Sequence, residues 1–213
     1  FCENIFLFII IRFFAGVSSA FVLIFGTSLI LPSIQALGKS SLSTAHFMGV
    51  GFGILLSSIL ISLLGSLGFI WSDLWFGVTI LGLFFAIPVF IFTPDPLVPS
   101  KTEKNLNKST RLGFNLITFS YGLYGFGYVV LGTFISTMAR DTSGLESTEA
   151  YVWLLVGLAG IPMVIFWPWF GKKIGNDLAL FLACLIMGIG ILIPVIVDHK
   201  LGIILAAILL GAT

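Results

Sequence analysis

One cationic side chain, Arg12, lies inside a long apolar stretch of the sequence. An ionisable group inside a membrane costs several kcal/mol unless it is paired or hydrated. Arg12 stands about eight residues, or roughly 12 Å of helix, into that stretch, which is too deep for easy extension to the outer surface. Gly16 and Ser19 follow on the same helix face and leave room beside it. The pattern indicates that Arg12 faces a water-filled cavity, where it neutralises an anionic group or tunes a proton site. The alternative is that it ties helix ends together through backbone carbonyls.

A second cluster consists of Tyr121, Tyr124 and Tyr128, in the segment YGLYGFGYVVLGTF. At about 100° per residue, the three phenols fall within about 60° of one another on one helix face, with glycines beside them. Such a face offers hydroxyls and ring surfaces to a small solute, while the glycines permit bending. The competing interpretation is an interfacial anchor beside a close helix contact. Both stay open, because Tyr128 is too deep for an interfacial belt and Tyr121 is not.

Three other polar features have simpler interpretations. His46 opens an apolar run at the predicted cytoplasmic boundary, where we expect a hydrated end residue. Small residues at Gly49, Gly53 and Ser57 predict a helix-packing seam. Asp177 opens another run, where a carboxylate in the first helical turn is favoured by the helix dipole.

The elements that carry these residues are predicted to be membrane helices. The chain of 213 residues is 58% hydrophobic and 9% charged, whereas soluble domains carry about 25% charged residues. Crossing about 30 Å of hydrocarbon needs roughly 20 mostly apolar residues, and helices satisfy their own backbone groups in lipid. Six complete runs and one partial run meet this description. They are residues 5–30, 46–67, 74–93, 114–138, 150–170, 178–197 and 201–213.

Basic residues predict the orientation and a boundary. Most Lys and Arg residues follow the first, third and fifth runs, which places those loops in the cytoplasm and residue 1 outside. The proline-containing and basic segment 94–113 predicts a hydrated cytoplasmic linker between two bundles, residues 1–93 and 114–213. The last run is too short to span a bilayer and the first residue is not Met, so we expect an internal piece of a larger protein.

Composition and motifs limit the classes of function. The net charge of +1 argues against nucleic-acid binding. The two cysteines indicate neither a disulfide framework nor a metal site. No catalytic set of residues lies within the runs, so we expect no enzyme, no cofactor and no metal. Transport by conformational change needs only a polar lining, flexible helices and two bundles that rock.

Several separated motifs resemble one transporter family. FIIIRFFAGVSSA, residues 8–20, is similar to the fourth-helix motif of major facilitator superfamily transporters. The YbfB/YjiJ-type group is the closest likeness, through HFMGVGFGILLSS, YGLYGFGYVVLGTF, WLLVGLAGIP and GKKIGNDLAL in the same order. The resemblance covers most of the chain. It implies a helical bundle that is incomplete at both ends, with the seven runs as helices four to ten of twelve.

The resemblance also implies roles and surroundings. Helices four, seven and ten line the central cavity of such transporters, so both Arg12 and the tyrosine face would address it. The motif arginine is associated with coupling in proton-linked members, and that role is carried to Arg12 alone. The implied protein is a monomer in the lipid bilayer of a bacterial inner membrane.

We therefore expect a secondary transporter of a small polar or organic solute, working by alternating access and driven by protons. The candidate substrate or coupling residues are Arg12, Gly16, Ser19, Tyr121, Tyr124 and Tyr128. The alternatives are a membrane-embedded enzyme, or a noncatalytic scaffold or receptor, whose functional groups lie outside these 213 residues.

Overall fold

The computed structural model describes residues 4–38, 41–92, 108–142, 149–197 and 200–213, and in these ranges every regular element is an α-helix. Each helix corresponds to one of the predicted runs. In chain order they are α1 (Ile5–Ala36), α2 (Ser41–Ser66), α3 (Trp71–Phe92), α4 (Lys108–Asp141), α5 (Glu149–Ile174), α6 (Asn176–Ile196) and α7 (Lys200–Ala212).

Six of these helices, α1 to α6, are long and apolar enough to cross a membrane. The shorter α7 is also apolar. These findings confirm the prediction of an all-α polytopic membrane protein. An apolar run of about 20 residues leaves little choice of structure, because only a helix pairs its own backbone groups in lipid.

Helix ends differ from the predicted ends where polar or proline residues are incorporated. α1 was expected to end near residue 30, yet it continues through Pro32 to Ala36. Proline removes one backbone donor, but membrane helices tolerate it when neighbouring groups satisfy the backbone. Beside Pro32, the Ser33 hydroxyl donates a hydrogen bond to the Leu29 carbonyl at 3.0 Å. α4 begins at Lys108, within the segment predicted as linker, and residues 94–107 lie outside the described residues.

The chain divides into two compact units. The first contains α1, the start of α2 as far as His46, and the end of α3 from Pro88. The second contains the rest of α2 and α3 together with α4 to α7. These units do not follow the predicted boundary at residues 94–113, and the division into two bundles stays a prediction.

The core of the second unit lies among α4, α5, α6 and α7. Small residues bring its helices together: a methyl group built on Gly190 of α6 would lie 3.1 Å from Leu209 Cβ of α7. On α7, a methyl group at Gly211 would overlap the Val156 carbonyl of α5. The buried cluster consists of Leu131, Ile135, Ala139, Val152, Val156, Met187, Ile203, Ala206, Ala207 and Leu210.

The backbones of α2 and α5 approach each other through two glycines, Gly51 and Gly157. A methyl group built on Gly157 would lie 2.7 Å from the Leu55 nitrogen and 3.1 Å from the Gly51 carbonyl oxygen. α2 therefore contacts α5 through Gly51, and not through the predicted packing seam at Gly49 and Gly53. Added methyl groups at those two positions meet nothing within 4 Å among the described residues.

A single residue separates α5 from α6. Gly175 has a φ of 95° and a ψ of 143°, a conformation that is almost restricted to glycine. Asp177 lies in the first turn of α6, where its negative charge is favoured by the helix dipole.

Candidate functional site

Arg12, Gly16 and Ser19 lie along one side of α1, all three exposed. The Arg12 guanidinium carbon lies 5.5 Å from the ring centroid of Phe8, one turn earlier, which is within the range of a cation–π contact. A methyl group at Gly16 would meet nothing within 4 Å among the described residues. The predicted small-residue space beside Arg12 is thus present on the helix surface. That Arg12 faces an aqueous cavity stays a prediction.

The three tyrosines form a ladder along α4. The ring centroids of Tyr121 and Tyr124 are 6.1 Å apart with an interplanar angle of 22°, and those of Tyr124 and Tyr128 are 6.4 Å apart with an angle of 35°. These spacings are within the range of favourable aromatic pairs. The structure therefore brings the three rings together as their spacing predicts. Arg12 belongs to the first unit and the tyrosines to the second, so each set is described by itself.

Burial changes along the tyrosine ladder. Tyr121 is 66% exposed, whereas Tyr124 and Tyr128 are half-buried and pack against the core of the second unit. One end of the ladder is therefore open and the other supports helix packing. The exposed Tyr121 fits a face that a solute could reach, whereas the packing of Tyr124 and Tyr128 fits a helix contact. Both interpretations therefore stay open.

Tyr124 also lines a cavity of about 310 Å³ between α4 and α6. Its neighbours there include Ser120 and the free thiol of Cys184. On the α4 side, Gly127 approaches Ile191 so closely that an added methyl group would lie 3.0 Å from its Cδ1. The tyrosine face is thus bordered by a small pocket that contains a hydroxyl, a phenol and a thiol.

His46 contacts α1 as well as lying near the start of α2. Its Nε2 lies 3.4 Å from the Thr27 hydroxyl, and it is half-buried. The imidazole therefore joins two helices and is partly exposed. The expectation of a simple hydrated end residue omitted this contact, because the partner lies 19 residues earlier in the chain.

A second cavity, of about 460 Å³, lies among α2, α4 and α5 and was not predicted. Its polar lining consists of Ser57, Ser58, Ser136 and Arg140, with the indole of Trp153. The Trp153 Nε1 donates a hydrogen bond to the Ser136 hydroxyl at 2.9 Å. The sequence contains only a weak indication of this cavity, namely two adjacent serines in α2 and a serine and an arginine four residues apart in α4. Only the packing of three helices brings them together.

The described residues contain no group of three or more His, Cys, Asp or Glu side chains that converge to hold a metal ion. The polar side chains that line the two cavities are hydroxyls, a phenol, a thiol, an indole and a guanidinium. Such groups bind and orient a solute by hydrogen bonds and charge.

Comparison with known proteins assigns the chain to a family. A family model described as "Uncharacterised MFS-type transporter YbfB" matches residues 1–213. No curated protein and no solved structure matches the chain. With six apolar helices of spanning length and a match over its whole length, the chain belongs to the YbfB-type family of major facilitator superfamily transporters.

Proposed function

We propose that this chain is part of a secondary active transporter that moves a small polar or organic solute by alternating access, coupled to protons. The observation that carries the proposal is Arg12 within the spanning helix α1. A charge at that depth is expensive in hydrocarbon and is tolerated where it serves a solute or proton pathway. Membership of a transporter family supports the same conclusion.

The polar surfaces along the helices support transport by movement. The tyrosine ladder of α4 has one open end and one packed end. In alternating access, one bundle rocks against the other, so helix faces that line the pathway change their exposure. The proposed location is a bacterial inner membrane, with residue 1 outside and the linker 94–113 in the cytoplasm.

The test is a proton-flux screen of candidate solutes with the full-length protein in liposomes. A solute that is transported should move protons with it, so that an outward solute gradient changes the internal pH. Solute uptake that is unaffected by collapse of the proton gradient would contradict proton coupling while leaving transport intact.

Arg12 provides the matched variants. Arg12→Ala should abolish solute uptake and leave the amount of membrane-inserted protein unchanged, because the variant removes the charge without adding bulk to α1. Arg12→Lys keeps the charge but not the planar guanidinium, so its uptake separates the two contributions. Normal uptake by Arg12→Ala would remove this residue from the mechanism.

A further inference from the structure

The turn between α5 and α6 places two lysines at the boundary of the membrane. Both helices are long and apolar enough to span a bilayer, and only Gly175 separates them. The segment GKKIGND, residues 171–177, therefore lies where one span leaves the lipid and the next enters it. It contains Lys172 and Lys173, both exposed and both in the last turn of α5. The phosphates of phospholipid head groups lie at the same level of a bilayer.

An aromatic ring keeps one of the two ammonium groups close to the lipid. The Lys173 Nζ lies 3.9 Å from the ring centroid of Trp169, one turn earlier, which is within the range of a cation–π contact. The exposed Trp169 ring lies 5.9 Å from the ring of Phe166, which is also exposed. Tryptophan is enriched at the level of the head groups. A ring contact leaves the positive charge of Lys173 in place, so this charge can still attract an anion.

Hydrogen bonds and close packing fix the backbone of the turn. The Gly175 amide donates to the Gly171 carbonyl at 2.9 Å, and the Ala179 amide donates to the Gly175 carbonyl at 3.1 Å. A methyl group built on Gly171 would lie 2.8 Å from the side-chain oxygen of Asn176, so the two helices are in contact here. A turn that is already ordered loses little conformational freedom when it binds a ligand.

The charges of the turn favour a negative ligand. Residues 171–177 contain two lysines and one acidic residue, Asp177, and two positive charges less one negative charge leave a net charge of +1. Neither Lys172 nor Lys173 forms an ion pair within the part of the chain that the structure describes. Each lysine near a membrane surface strengthens the attraction of anionic lipid about fivefold. The phosphate of an anionic phospholipid is the negative group that a bilayer presents at this level.

We propose that the last turn of α5 binds the phosphate of an anionic phospholipid, with Lys172 and Lys173 as its cationic groups. The glycerol and the upper part of the acyl chains would lie along the exposed rings of Phe166 and Trp169. This site requires only that the chain lies in a membrane, so it is independent of the proposed transport.

The test measures the local enrichment of anionic lipid beside the turn. Leu178→Cys, at an exposed position in the first turn of α6, carries a fluorophore in full-length protein whose other cysteines are replaced by serine. The protein is placed in phosphatidylcholine nanodiscs with a small fraction of nitroxide-labelled phosphatidylglycerol or nitroxide-labelled phosphatidylcholine. The nitroxide lies near the glycerol end of one acyl chain. The ratio of quenching by the two labelled lipids reports the preference for the anionic one.

Two further reporters complete the design. Phe181→Cys, also exposed on α6, replaces the first reporter if Leu178→Cys does not fold. Val195→Cys, exposed at the other end of α6, is the matched control. Residues 195–201 contain one acidic residue and one lysine, with a net charge of zero when the histidine is neutral.

The expected result is a preference for phosphatidylglycerol of about fivefold at position 178, where the net charge is +1, and none at position 195. Replacing both Lys172 and Lys173 by glutamine should abolish the preference at position 178, and replacing both by arginine should keep it. Lys200→Gln, an exposed lysine at the start of α7, should leave it unchanged. Equal quenching by the two lipids at position 178, a preference that survives the double glutamine variant, or the same preference at position 195 would overturn the proposal.

Discussion

The close approach of α2 and α5 predicts a large difference between two similar glycine substitutions. In Gly157→Ala the new methyl group would lie 2.7 Å from the Leu55 nitrogen and 3.0 Å from its Cα. Both are backbone atoms, so no side chain can rotate away. Restoring ordinary contact at 3.4 Å requires the helices to separate by about 0.7 Å. Such overpacking typically costs about 1–3 kcal/mol.

Gly53→Ala in α2 is the matched control. An added methyl group there meets nothing within 4 Å among the described residues. Both substitutions gain similar helix propensity, about 1 kcal/mol per glycine replaced, so that this contribution cancels in the comparison. Gly51→Ala should fall between the two, because its nearest neighbour is the Ile161 side chain at 2.9 Å, with the Ile161 backbone nitrogen at 3.2 Å.

The assay is thermal unfolding of the purified full-length protein in detergent, followed by the fraction that remains monodisperse. At about 2–4 °C per kcal/mol for a chain of 150–250 residues, Gly157→Ala should unfold about 2–12 °C below Gly53→Ala. Equal unfolding temperatures for the two variants would show that α2 and α5 do not touch at Gly157, and the helix contact described above would be wrong.

Three further experiments test other features. Cysteines placed at positions 124 and 128 should react with water-borne thiol reagents and be protected by a transported solute if the tyrosine face is wet; inertness in every condition would favour a packing role. Trp153→Phe removes the donor to Ser136 and should lower stability by about 1 kcal/mol, measured by thermal unfolding, and an unchanged melting temperature would argue against this hydrogen bond. Gly175→Ala forces a side chain into a backbone region that costs about 1–3 kcal/mol. Its melting temperature should fall below that of Gly122→Ala, an exposed position with no neighbour within 4 Å among the described residues, and equal values would contradict the strained turn.

The number and type of the helices could be predicted because each rests on one local property, an apolar run long enough to span lipid. The tyrosine ladder followed from the same local geometry, since residues three and four apart on one helix must lie close together. Helix ends were less predictable. The expected end of α1 near residue 30 ignored that Ser33 bonds to the backbone beside Pro32.

Contacts between helices could not be predicted from either helix alone. α2 contains Gly49, Gly51 and Gly53 within five residues, and only the position of Gly157 on α5 decides which of them is in contact. The cavity among α2, α4 and α5 could not be predicted for the same reason. Its residues come from α2, α4 and α5, and none of these segments has a polar pattern strong enough to identify a site by itself.

Under the proposed alternating access, the contact between α2 and α5 would have a mechanical consequence. α2 precedes the predicted linker and α5 follows it, so their crossing would join the two halves. Where Gly51 and Gly157 meet, the two backbones are in direct contact, and the Ile161 side chain of α5 packs beside Gly51. Helices whose backbones meet at glycines have few interlocking side chains at the contact, so a small change in their crossing angle would need little repacking. The contact between α2 and α5 would then act as a pivot between the two predicted bundles. Its freedom to pivot would depend on the absence of a Cβ atom at Gly51 and Gly157.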